Sequence, residues 1–141
     1  MKKMTFLIIC MICLSCTSQK ITVYHYDNSK YDGYEIMCDG MKAFFNKNDP
    51  DIRIYHEYSS MLNNEMKQVK EKITFSKTED RDCDGYLYYA FVSKKDTLYS
   101  DYGLRYWRYK NKGVVYQLNE AVKNEIKHII GKPTSSNSQK L

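Results

Sequence analysis

From Ile21 to Tyr26 (ITVYHY) large apolar and polar side chains alternate, the two-residue period of a strand with two distinct faces. Asp27, Asn28 and Ser29 form a turn cluster behind it. Tyr34, Met37, Cys38, Met41, Phe44 and Phe45 then recur at three- and four-residue intervals. This predicts a helix weakened by Gly40 and stopped around Pro50. Ile52, Ile54, Tyr55 and Tyr58 predict a second strand. Ser59 or Ser60 is placed to cap a second helix carrying Leu62, Met66 and Val69, with Glu65 positioned to stabilise its early turns. Residues 73–77 alternate as a strand, and an acidic turn follows at 79–85.

The later half is richer in strand formers. Residues 86–92 (YLYYAFV) read as a strand, Lys94, Lys95 and Asp96 as a turn, and 98–109 as one long strand with an irregularity at Gly103. Asn111, Lys112 and Gly113 make a hairpin turn into a strand at 114–118. Asn119 caps a last helix bearing Val122, Ile126, Ile129 and Ile130, which Gly131 and Pro133 end. The order predicts an α+β fold: a mainly antiparallel sheet of five to six strands with about three helices packed on one face. A single domain is expected over 21–131, with a disordered polar tail at 132–141.

Composition narrows the class. With 6 Gly, 2 Pro and 43% hydrophobic residues the chain is neither collagen-like nor wholly disordered. Its formal charge of +5 is concentrated at the ends. Taking Lys2 and Lys3 from 22 basic residues leaves 20 against 17 acidic ones, and Lys132 and Lys140 lie at the C-terminal end. The body therefore lacks the basic stripe a nucleic-acid binder needs.

The N-terminal segment reads as an address. Lys2 and Lys3 precede an apolar run at 4–14, interrupted only by Thr5. Eleven helical residues rise about 16 Å, half of a hydrocarbon core of about 30 Å, which suits a signal sequence rather than a membrane span. Leu14, Ser15 and Cys16 follow, and this segment resembles the lipobox of bacterial lipoproteins. Cys13 stands where leucine is usual three places before the cysteine. The resemblance implies a signal peptide at 1–15, diacylglyceryl lipidation of Cys16, a tether at 16–20 and attachment to the cell envelope (the outer membrane or a periplasmic face). An ordinary signal cut after Ser18, giving a soluble product, is the alternative. Farther along, ITVYHY, the first helix and FFNKNDPDIRIYHEY are similar to the opening βαβ of extracellular solute-binding proteins, with Asn48, Asp49, Pro50, Asp51 and Ile52 loosely matching their turn. That similarity covers under a third of the mature chain and carries no ligand residues.

Candidate chemistry is sparse. His25 and His56 lie on predicted strands, where they fit two ordinary half-buried imidazoles better than a metal or catalytic pair. No nucleophile elbow, phosphate loop or HExxH spacing occurs, so no enzyme class is indicated. Cys38 and Cys83, an even pair in an exported chain, predict a disulfide worth about 4 kcal/mol in the chain-entropy model. Two separate thiols are the alternative. Asp80, Asp82 and Asp84 precede Gly85 in the D-x-D-x-D-G order of a calcium loop, with the Tyr86 carbonyl as next ligand. Phe91 occupies the twelfth position in place of glutamate, so any affinity should be weak, roughly 10⁻⁴–10⁻³ M. A solvated acidic turn fits the same residues. No cofactor is required.

Fourteen tyrosines, against one tryptophan and five phenylalanines, are the most unusual feature. On a continuous strand, Arg105, Trp107 and Tyr109 share a face with Tyr99. Arg and aromatic side chains bury large area at low entropic cost, so this face is the expected partner surface. The sequence therefore predicts a lipid-anchored envelope binding module. Its expected partner is a protein, as for an immunity-type or assembly accessory protein; a glycan or peptidoglycan strand is the alternative, and a small enzyme comes last.

Overall fold

β-Branched and aromatic residues build two strands that pair directly. In a computed structural model, which describes residues 19–27, 42–43, 45, 50–77, 87–94 and 96–133, β1 (Lys20–Tyr26) and β2 (Ile52–Tyr58) are antiparallel from Lys20 opposite Tyr58 to Tyr26 opposite Ile52. This differs from the parallel βαβ unit of solute-binding proteins, so that similarity does not extend to the fold. Four further strands complete the sheet: β3 (Leu87–Ser93), β4 (Asp96–Asp101), β5 (Tyr106–Tyr109) and β6 (Lys112–Val115). Their order is β2-β1-β3-β4-β5-β6, and every neighbouring pair is antiparallel. The protein is α+β.

Two helices are complete among the described residues: α1 (Ser60–Phe75) and α2 (Glu120–Gly131). Ser59 caps α1, its hydroxyl accepting the Leu62 N–H at 2.9 Å. The strand expected at 73–77 is instead the end of α1 at residues 73–75, followed by its C-cap Ser76. Leu62, Met66, Val69 and Ile73 keep a helical interval and are all buried, whereas Phe75 is 83% exposed. Five alternating residues mimic a strand when only the first of them has a core to face. Glu65 also departs from expectation. It is buried beyond the first turn, and its carboxylate accepts the Asn119 N–H at 3.2 Å, joining α1 to the start of α2.

α1 runs across the strands at one end of the sheet. Asn63 donates to the Gln19 carbonyl ahead of β1 (2.6 Å), Lys70 pairs with Asp96 opening β4 (2.5 Å), and Lys112 opening β6 donates to the Thr74 carbonyl (3.3 Å). α2 returns to β2, where the Tyr55 hydroxyl donates to the Ile130 carbonyl (3.0 Å) and Lys132 pairs with Glu57 (2.7 Å). Both helices cover one face, burying Ile21, Val23, Phe91, Leu98 and Trp107 beneath them.

The opposite face has its own buried cluster, Tyr26, Phe45, Ile52, Leu87 and Ala90, flanked by Tyr24, Ile54 and Tyr99. Lys42, Ala43 and Phe45 are helical, and Phe45 packs here, away from α1 and α2. Apolar packing therefore occupies both faces, contrary to the expectation of helices on one. An irregularity in the β3–β4 register at Tyr88 pairs Leu87 with Asp101 and Tyr89 with Ser100. This extra residue sends Leu87 to the second cluster although it is two residues from Tyr89.

Candidate functional site

The histidines do not meet. His25 lies opposite Arg53 and His56 opposite Thr22, on positions of different parity, so the two rings occupy opposite faces of the sheet. His56 Nδ1 is 3.1 Å from the Thr22 hydroxyl, and His25 stacks on Tyr89 with ring centroids 4.9 Å apart. Among the described residues no three His, Cys, Asp or Glu side chains gather as a metal site. Cys16, Cys38, Cys83, Asp80, Asp82, Asp84 and Tyr86 lie outside the described residues, as does the expected tail from 134 onward.

Burial holds the His25 imidazole below its ordinary 6.5, opposed by nearby Asp27 and assisted by Arg53. The folded state therefore binds the proton less readily than the unfolded chain. This contribution to stability is complete above about pH 6.5 and is lost as pH falls through the folded pKa. His25→Phe, which keeps a ring against Tyr89, should flatten the stability profile just below neutrality. A His25 NMR titration midpoint at or above 6.5 would contradict this.

The expected partner face is rearranged by a reversal of the chain. β4 ends at Asp101, whose carboxylate accepts the N–H groups of Arg105 (2.7 Å) and Tyr106 (2.9 Å), and Leu104 turns the chain with φ 52°. Residues 98–109 are thus a hairpin rather than one strand, with Ser100 opposite Trp107 and Tyr99 opposite Arg108. Trp107 consequently shares a face with Leu98 and Ser100. It is 0% exposed, against Phe91 at 5.4 Å, and its indole N–H points to the Leu104 carbonyl (3.3 Å). Trp107 is a core residue and presents no ring to a partner. Arg105 is exposed, whereas half-buried Tyr109 donates its hydroxyl to Asp96 (2.7 Å). Arg105, Trp107 and Tyr109 do not form one surface.

Two other surfaces emerge at opposite ends of the sheet. At the end where β1 and β4 finish and β3 begins, Tyr102 is 72% exposed and meets Tyr88 edge-on at 5.4 Å. Tyr88 leans in turn on Tyr26 at 6.0 Å. The sequence signal for this cluster was Asp101 followed by Gly103, a turn pair that would have placed Tyr102 at a tip.

The other end carries a cleft of about 470 Å³ between α1 and the β3–β4 turn. Ile21, Met66, Phe91 and Leu98 form its floor and are nearly inaccessible. Gln19, Ser60, Asn63, Asn64, Lys67, Lys70, Ser93, Lys94 and Asp96 form polar walls. Asn63 is fixed by donating to the carbonyls of Gln19 and Ser59 (2.7 Å to the latter) while accepting from the Ser93 hydroxyl (3.0 Å). Lys70 and the Tyr109 hydroxyl both donate to Asp96, holding its carboxyl below the usual carboxylate range.

The chain matches no protein-family model, no characterised protein and no solved structure. The aromatic end presents the exposed Tyr102 ring, and the cleft presents ammonium, amide and hydroxyl donors around a single engaged carboxylate. No helix among the described residues is long and apolar enough to cross a membrane.

Proposed function

We propose that the chain is a lipid-anchored cell-envelope binding module, attached through Cys16, which recognises a protein partner with the aromatic end of its sheet. The observation that supports this reading is the Tyr26–Tyr88–Tyr102 cluster, with Tyr102 largely exposed and Arg105 beside it in the same turn. Exposed aromatic and Arg side chains are the residue types that dominate binding energy. The cluster lies at the end of β1 opposite Gln19, so seven strand residues separate it from the tether by about 20 Å. It would face away from the membrane. A third helix over 34–45, represented by Phe45, would cover the second face behind it, and a Cys38–Cys83 disulfide would tie that helix to the acidic segment before β3. Weak calcium binding by Asp80, Asp82, Asp84 and Tyr86 is part of the same proposal.

A photo-crosslinking residue placed at Tyr102 in living cells should give one discrete protein adduct, absent when the same residue replaces exposed Lys127. Tyr102→Ala should leave stability within about 0.5 kcal/mol. No adduct, or the same adducts from both positions, would overturn the reading. Retention on isolated peptidoglycan that Tyr102→Ala abolishes would replace the protein with a glycan.

A further inference from the structure

We propose that the cleft at the anchor end of the sheet seats the phosphate headgroup of an anionic phospholipid in the membrane that carries the chain. The inference rests on the lipid-anchored reading and extends it, because it gives the domain a defined orientation.

Gln19 lines the cleft, and Cys16 is three residues ahead of it. Even fully extended, those residues span only about 11 Å. An acyl chain on Cys16 would therefore hold the cleft beside the headgroup layer, which adds about 5–8 Å to each side of the hydrocarbon core.

Lys70 is already engaged by Asp96, but Lys67 and Lys94 are exposed and have no carboxylate partner among the described residues. Lys20, next to Gln19, is exposed as well. α1 begins at the cleft, with Ser60 in its wall and no acidic residue in its first turn, so the positive end of its dipole is not offset there. The surplus at this end is cationic, and the nearly inaccessible floor offers little to an apolar ligand.

Lys94 has φ 55° in the turn between β3 and β4, and Lys110 has φ 54° in the turn after β5, at the same end of the sheet. Asn or Gly takes that conformation more cheaply. Lysine at both turns is thus not explained by backbone preference, whereas a negatively charged surface facing both turns explains it.

The test uses the full chain carrying Cys16→Ser, with and without Lys67→Gln/Lys94→Asn, sedimented with vesicles of phosphatidylcholine alone or mixed equally with phosphatidylglycerol. Asn at 94 suits the positive φ, and Lys67 is exposed, so the lysine variant should fold as well as its parent. Each lysine contributes roughly a fivefold factor on an anionic surface, so the two substitutions should weaken partitioning onto mixed vesicles about 25-fold. They should leave phosphatidylcholine partitioning unchanged, and added salt should shrink the difference. Equal partitioning of both chains onto mixed vesicles would overturn the proposal. Competition by glycerol phosphate at concentrations matching the accessible lipid would also overturn it, in favour of a soluble phosphate compound. Palmitate labelling of the wild type reports separately on the anchor. Labelling without lysine dependence sinks the headgroup site alone, and lysine dependence without labelling sinks the anchored reading on which it rests.

Discussion

Trp107→Ala is expected to destabilise the protein by about 3–5 kcal/mol, the usual cost of deleting a large buried aromatic side chain. The ring is wholly enclosed, packs on Phe91 and belongs to the core cluster on the helix-covered face. Truncation would leave a cavity in the packed core, into which the surrounding structure relaxes only partly. Since typical domains have only about 5–15 kcal/mol in total, the variant should be partly unfolded at physiological temperature. Arg105→Ala, two residues away but exposed, should stay within about 0.5 kcal/mol. Urea unfolding followed by far-ultraviolet circular dichroism makes the comparison, because the substitution removes the chain's single tryptophan. In the wild type that tryptophan should be shielded from acrylamide until the protein unfolds. A loss below about 1 kcal/mol for Trp107→Ala would return the ring to the surface.

Gly113→Ala should cost about 1–3 kcal/mol through overpacking. Gly113 is buried in β6, and a Cβ there would strike the Tyr106 hydroxyl and approach its Cζ to 2.5 Å. Replacing glycine inside a strand ordinarily gains about 0.5–1 kcal/mol, so the sign of the measured change separates the two effects. If the clash dominates, Tyr106→Ala/Gly113→Ala should lose less than the sum of its single variants, since removing the ring opens the space. Additive losses, or a neutral Gly113→Ala, would refute the close approach. The glycine was expected to make the hairpin turn. In the structure the turn lies at Lys110 and Asn111, and the glycine serves the crossing of Tyr106 over β6.

Local chemistry made much of the fold legible in advance. ITVYHY, the Ser59 cap, the apolar run after residue 86 and the Asn119 cap each act through neighbours in sequence, so periodicity and capping placed β1, α1, β3 and α2 within a few residues. An apolar period says which residues share a face, but only while the strand continues. At Asp101 it does not continue. The carboxylate that captures two backbone N–H groups, and the left-handed Leu104, reverse the chain and change the parity of everything after them. That one turn moved Trp107 from the expected partner surface into the core.

By itself the sequence determined the α+β class, the mainly antiparallel sheet and the two helix caps, because short-range sterics, hydrogen bonding and hydrophobic periodicity suffice for each. Tertiary structure alone decided that both faces carry buried apolar clusters, that His25 and His56 are separated by the sheet, and which tyrosines reach its far end. It alone assembled the lysine-lined cleft from the start of β1, the first three turns of α1 and the β3–β4 turn. Those segments are remote along the chain, and only the crossing of α1 over the strand ends brings their charges to one place.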